Sequence, residues 1–200
     1  MGWGKQETDA QNGEDPAMIT KTELEGVLIL EPKRFGDQRG FFSEVYNKAR
    51  LREEGLDIGF VQDNHSFSAD QGVVRGLHFQ SPPHAQAKLV RVARGRVLDV
   101  AVDIRKSSPT YGRHVAVELS AENWRQLLVP AGFLHGFCTL EPNCELLYKV
   151  TDYYSPECDA GVFWADRDLG IDWGLAPDAA ILSDKDKALP RFADFDSPFE

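Results

Sequence analysis

Val97-Leu98-Asp99-Val100-Ala101-Val102-Asp103 is the stretch that decides the fold. It is rich in β-branched residues and reads as a strand, with acidic Asp99 and Asp103 on one face. Working outward, β-prone runs recur on both sides at 26–31, 40–46, 60–68, 73–79, 88–92, 114–119, 126–129, 133–140, 145–150 and 161–164. Gly, Pro, Asn or Asp separates one from the next. Helical signals are confined to 47–55, which stops at Gly55, and to 183–189. Many short strands with few helices predict an all-β chain, a jelly roll of two antiparallel sheets. No internal repeat interrupts the pattern.

Two hundred residues suffice for one domain with a sizeable core. The chain is 42% hydrophobic and 27% charged, an ordinary balance for a soluble globular protein. Its net charge of −10 argues against a nucleic-acid partner or an anionic membrane surface, but leaves room for a local basic pocket. No apolar run approaches the roughly 18 residues of a membrane span. Cys138, Cys144 and Cys158 lack paired spacing and read as free thiols in a reducing cytoplasm. The N-terminus lacks the charged-then-apolar pattern of a secretion signal. Residues 1–18 are polar, with Trp3 the one large apolar side chain between the two methionines, and are expected to be a disordered extension or an expression remnant. Residues 19–189 form the expected domain. Residues 190–200 are read as a tail whose Phe192, Phe195 and Phe199 could dock on a surface.

The chemistry centres on Arg75-Gly76-Leu77-His78-Phe79-Gln80 and Pro130-Ala131-Gly132-Phe133-Leu134-His135. Each places a histidine, the side chain suited to proton transfer near neutral pH, in an apolar run. A lone strand histidine is more often a hydrogen-bonded core residue. Here Arg75 and Gln80 share the short run with His78, and polar groups are costly to bury without partners. Lys88 begins an apolar strand, where lysines usually snorkel, yet its fixed charge would stabilise an oxyanion. Tyr148 by itself is an ordinary strand tyrosine. Ser183-x-x-Asp186 matches a helix capping box; alternatively Asp186 orients a histidine. Arg39 and Arg75 suit phosphate, although surface ion pairs are the default for each. No metal is expected, because Gln80 stands where a second histidine would complete a ligand set around His78. Nucleophilic Ser or Cys motifs and Gly-rich phosphate loops are absent.

Several motifs stand in order: FGDQRGFFSE (35–44), VQDNHSFS (61–68), RGLHFQ (75–80), KLVRVARG (88–95), DVAVDIRKSSPTYG (99–112), PAGFLHGF (130–137), LYK (147–149) and LSDKD (182–186). Through them, from about Ile19 to Asp186, the chain resembles the dTDP-4-dehydrorhamnose 3,5-epimerase family, of cupin-like jelly-roll fold. The resemblance implies cofactor-independent inversion of dTDP-4-dehydro-6-deoxy-D-glucose at C3 and C5 to dTDP-4-dehydro-L-rhamnose, in dTDP-L-rhamnose biosynthesis. It implies His78 as base with Asp186 as dyad partner, Lys88 holding the C4 oxyanion, and Tyr148 as acid on the opposite face. His135 would line the sugar pocket. Arg39, Glu44, Gln62, Asn64, Arg75 and Lys185 would contact the nucleotide-sugar, in part through its diphosphate. Phe42 and Tyr154 would stack with thymine. Asp159 stands where the family often has glutamate, and the shorter acid weakens that correspondence. The resemblance also implies a homodimer with an exchanged N-terminal strand, so that residues around Arg39 to Glu44 serve the partner's site. The alternatives are a single-centre (3- or 5-) epimerase of another dTDP-deoxysugar pathway, a non-catalytic nucleotide-sugar binding jelly roll, and a metal-dependent cupin oxygenase.

Overall fold

The computed structural model describes residues 19–200, so the extension expected over 1–18 lies outside the described residues. In chain order the elements are β1 (Ile19–Lys21), β2 (Leu28–Leu30), β3 (Arg34–Asp37), β4 (Gly40–Ser43), α1 (Lys48–Glu53), β5 (Gln62–Ser68), β6 (Val74–Gln80), β7 (Lys88–Arg94), β8 (Arg96–Asp103), β9 (His114–Ser120), β10 (Gln126–Val129), β11 (Phe133–Thr139), β12 (Cys144–Val150), β13 (Asp159–Gly161) and α2 (Asp184–Lys187). One sheet has the order β1-β2-β10-β7-β12-β5, and the facing sheet β13-β6-β11-β8-β9. Every pairing within them is antiparallel. This is the two-sheet jelly roll that the strand pattern predicts.

Alternation sorts the side chains into three apolar layers. Between the sheets lie Val90, Val92, Val97, Ala101, Leu127, Phe133, Phe137 and Leu146. Val74, Leu77, Phe79, Val100, Val102 and Leu134 face outward from the five-stranded sheet and meet Trp164, Trp173 and the C-terminal chain. Residues 190–200 join this layer, with the Phe195 and Phe199 rings edge-on to Phe79. On the other side, Leu28, Leu30, Leu89 and Leu128 pack against Leu51 of α1. That helix begins where Asn47 accepts the Ala49 and Arg50 amides, and the chain turns away at Gly55, whose φ of 87° suits glycine.

Three details depart from the sequence reading. Asp99 and Asp103 are fully buried rather than set on a polar face, because β8 is an inner strand covered on both sides. Asp103 accepts from the Arg105 guanidinium and the Ser108 and Thr110 hydroxyls; burial opposes its ionisation, but these donors prevail and bring its pKa to about 2. Strands β1 and β3 were not expected; β3 and β4 form a separate hairpin in which no residue is buried, so no apolar period marks β3. The strand expected at 161–164 pairs instead at Asp159–Gly161, while Val162 and Trp164 continue into the outer core layer.

Candidate active site

On β6, Leu77 and Phe79 point to the outer layer, so His78 between them turns inward. His135 stands opposite it on β11, in the inner row that also holds Phe133 and Phe137. The two strands approach closely because residue 136 is glycine: a Cβ there would lie 2.7 Å from the Arg75 carbonyl oxygen. The facing sheet contributes Lys88, in the inner row of Val90 and Val92, and Tyr148, in that of Leu146. The apolar rows of both sheets therefore end in polar residues around one space.

That space is a cavity of about 480 Å³, lined by His78, Lys88, His135 and Tyr148 together with Arg75, Lys185 and Asp186. A second hollow of about 320 Å³ is lined by Gln62, Asn64, Gln80, Tyr154 and Asp159. His78, Lys88 and Tyr148 line both.

His78 Nε2 lies 2.6 Å from Asp186 Oδ1. The Ser183 hydroxyl caps α2 by accepting the Asp186 amide at 3.1 Å, so Asp186 belongs to the predicted cap and also reaches the histidine. Burial works against ionisation of Asp186, but the hydrogen bond and charge of His78, with Ser183 and the Gly76 amide, outweigh it and hold the carboxyl below its usual range. An ionised carboxylate only accepts, so His78 Nε2 carries the hydrogen. In the neutral ring Nδ1 is then the basic nitrogen.

The structure holds a second such pair that the sequence reading missed. His135 Nε2 lies 2.9 Å from Oδ1 of buried Asp99. Asp99 Oδ2 has no hydrogen-bond partner among the described residues. The signal for Asp99 was its inward parity with Val97 and Ala101, which becomes informative only once β8 is known to be an inner strand.

Burial pushes the Lys88 ammonium down to about 8, against the pull of Asp159 and Asp99. Among the described residues the Lys88 ammonium makes no hydrogen bond or ion pair, so its charge is uncommitted at the cavity wall. Burial also raises the Tyr148 pKa, with Arg75 opposing and Asp159 and Tyr154 adding to it, so the phenol keeps its proton at neutral pH.

The remaining predicted positions divide into two groups. Arg75 donates to Ser68 Oγ and the Phe67 carbonyl at the cavity edge. Lys185 pairs with Asp159, which also accepts from the Tyr154 hydroxyl at 3.0 Å. Gln62 donates to Asn64 Oδ1 at 2.9 Å and accepts the Tyr154 amide at 3.1 Å. By contrast, Arg39, Phe42 and Glu44 are not brought to the cavity. Arg39 pairs with Asp37, Phe42 is 69% exposed, and Glu44 binds Asn47 and Arg50. Gln80 donates to the His84 and Tyr153 carbonyls and accepts the Ser155 amide, so its amide secures two loops rather than standing free as a ligand. Among the described residues no three His, Cys, Asp or Glu side chains form a group that could hold a metal ion.

A family profile described as dTDP-4-dehydrorhamnose 3,5-epimerase matches residues 21–194. The dTDP-4-dehydrorhamnose 3,5-epimerase of Salmonella typhimurium is 55% identical over 86% of this chain and 94% of its own length. The structure of the Bacillus anthracis dTDP-4-dehydrorhamnose 3,5-epimerase, with TDP and PPi bound, superposes with a TM-score of 0.84 at 51% identity, covering 87% of this chain and 98% of that one. The Legionella pneumophila dTDP-6-deoxy-D-glucose-3,5-epimerase, in complex with dTDP-4-keto-L-rhamnose, also gives 0.84, at 47% identity over 89% of this chain and 94% of that one.

Proposed function

The chain belongs to the dTDP-4-dehydrorhamnose 3,5-epimerase family, and we propose that His78, Asp186, Lys88 and Tyr148 carry its reaction. The protein is an isomerase of dTDP-L-rhamnose biosynthesis, inverting dTDP-4-dehydro-6-deoxy-D-glucose at C3 and C5 to dTDP-4-dehydro-L-rhamnose. One observation supports the assignment of residues above others: a histidine–aspartate pair, an uncommitted ammonium and a protonated phenol converge on one cavity from two facing sheets.

C3 and C5 both flank the C4 ketone, so removing either proton places charge on the C4 oxygen. Nδ1 of His78 takes the proton, and Asp186 stabilises the imidazolium that forms. The Lys88 ammonium receives the developing oxyanion; one well-placed donor of this kind contributes about 3 kcal/mol to the transition state. Tyr148, on the opposite sheet, returns a proton to the other face. One C–H bond breaks and one forms, so the substrate gains no net proton. His78 then releases its proton to solvent and Tyr148 regains one before the second centre turns over. These steps call on no cofactor.

Arg75 and Lys185 flank the diphosphate, Gln62, Asn64 and Asp159 bind along the smaller hollow, Tyr154 stacks on thymine, and His135 lines the sugar seat. In a homodimer with an exchanged N-terminal strand, the partner supplies the other thymine face and further polar contacts through the positions of Arg39, Phe42 and Glu44. The hairpin's exposed Phe35, Phe41 and Phe42 support that reading, since water-facing aromatics in one place mark a contact surface. A cytoplasmic location fits the three free cysteines.

Proton NMR of dTDP-4-dehydro-6-deoxy-D-glucose with the protein in D₂O tests the assignment. Deuterium enters at C3 and C5 with the unaltered protein and at neither carbon with His78→Ala. Substantial exchange in the variant would remove His78 as the base, and exchange at one carbon only in the unaltered protein would place it with single-centre epimerases.

A further inference from the structure

The carboxylates around the reacting groups are not all fully engaged. Asp186 is bound by His78, and Asp159 by Lys185 and the Tyr154 hydroxyl. Asp99 differs. Its side chain is fully buried, Oδ1 meets His135 Nε2 at 2.9 Å, and Oδ2 is the one buried carboxylate oxygen among the described residues with no hydrogen-bond partner. His135 of β11 stands opposite Ala101 of β8, so Asp99 lies two residues along the same inner row and reaches His135 diagonally. The cations divide in the same way. Arg75 and Lys185 have protein partners, whereas the Lys88 ammonium makes no hydrogen bond or ion pair among the described residues, although a buried charge is costly unless it is compensated. Asp159 and Asp99 are the two carboxylates whose charge favours that ammonium, and Asp159 is already matched by Lys185.

We infer that Asp99 is a positioning residue of the reaction, orienting His135 through Nε2 and supplying the counter-charge of the Lys88 ammonium across the gap between the sheets. The inference rests on the roles proposed above for Lys88 and His135. An ionised carboxylate only accepts, so its bond to His135 places the hydrogen on Nε2 and leaves Nδ1 of the neutral ring as an acceptor for a sugar hydroxyl. Lys88 has two needs that conflict. It must stay protonated in a dry site, yet keep its N–H groups free for the C4 oxyanion. A direct ion pair meets the first need and defeats the second, because it engages the donors. A carboxylate held back on β8 by His135 meets both, since charge acts through space without occupying a donor. Asp99 does not itself line either cavity, so it acts through two side chains that do.

The test is the pH profile of kcat/KM for the unaltered protein, Asp99→Asn, Lys88→Arg and the double variant. Asn keeps the shape and removes the charge, so the Lys88 pKa falls and the alkaline limb, set at about 8, moves to lower pH by about half a unit or more. In the double variant, where the guanidinium stays charged, the limb should remain where it stands in Lys88→Arg alone. A merely structural Asp99 would lower the rate at every pH and move no limb. A limb unmoved by Asp99→Asn, or moved equally in both backgrounds, would overturn the counter-charge. Nitrogen-15 NMR of the histidine-labelled unaltered protein needs no variant to fold: His135 should carry a hydrogen on Nε2. A bare Nε2 would put the proton on Asp99, leave it without charge and overturn both parts of the proposal. A limb that Lys88→Arg fails to move would sink the role of Lys88 itself, and that of Asp99 with it. That pattern is distinct from a limb that answers to Lys88→Arg but not to Asp99→Asn.

Discussion

Lys88 shows how burial prepares a residue for work. Its ammonium is drawn into the gap between the sheets with no hydrogen bond or ion pair among the described residues, and burial lowers its pKa to about 8 despite Asp159 and Asp99. The charged form is the useful one, so kcat/KM should be insensitive to this group well below pH 8 and fall as pH rises through about 8, approaching tenfold per unit. Lys88→Arg, whose guanidinium stays charged, should move that alkaline limb upward while lowering the rate; a limb that stays in place in Lys88→Arg would assign it to another group. Tyr148 is held in its neutral form by burial, and its proposed role is separable from that of His78. Tyr148→Phe is expected to cut product formation by about a hundredfold or more while solvent deuterium still enters the substrate. Parallel loss of both signals, read by NMR in one sample, would show that Tyr148 is needed for deprotonation as well. Sequence made His78, Lys88 and Tyr148 visible as candidates. Asp99 escaped because an acidic residue in an alternating strand reads as solvent-facing, and only its contact with His135 shows otherwise.

At the scale of elements, α2 is four residues long and yet carries Lys185 and Asp186 into the site. So short a helix has little stability of its own. It is held by the Ser183 cap, by the Asp186–His78 bond and by the Lys185–Asp159 pair. Ser183→Ala should cost about 1 kcal/mol of local stability and let Asp186 drift from His78. A fall in kcat larger than any change in dTDP affinity would be the signature, and unchanged kcat would show that the His78 bond alone holds the carboxylate. The capping box was legible because it is a local pattern. The bond from its acid to a histidine 108 residues away was not, since only the packing of the C-terminal chain over the five-stranded sheet brings the two together.

At the scale of the whole molecule, the β3–β4 hairpin rests on Trp124 through the Ser43 hydroxyl and the Phe41 ring, yet three of its phenylalanines stay exposed, and Arg39, Phe42 and Glu44 lie outside the cavity. Exposed aromatics on one hairpin are costly for a solitary chain and favourable at an interface. Phe42→Ser is expected to weaken dTDP binding and the dimer proposed above, measured by titration and by sedimentation, while the unfolding transition of the sandwich stays in place. Sedimentation of the unaltered protein as a monomer at micromolar concentration would remove the partner's contribution.

The sequence by itself determined the fold class, most strand positions, the Gly55 stop of the first helix, the Ser183 cap of the second and the family, because period-two alternation, turn residues and ordered motifs are written locally along the chain. It left open which face of each strand is inner, since alternation gives parity but not which sheet lies opposite. The tertiary structure alone decided that Asp99 and Asp103 are buried, that Gln80 is spent on two loops, and that His78, Lys88, Tyr148 and Asp186 share one cavity. Those outcomes depend on contacts between residues far apart in the chain, where burial and charge act through distance in space rather than along the sequence.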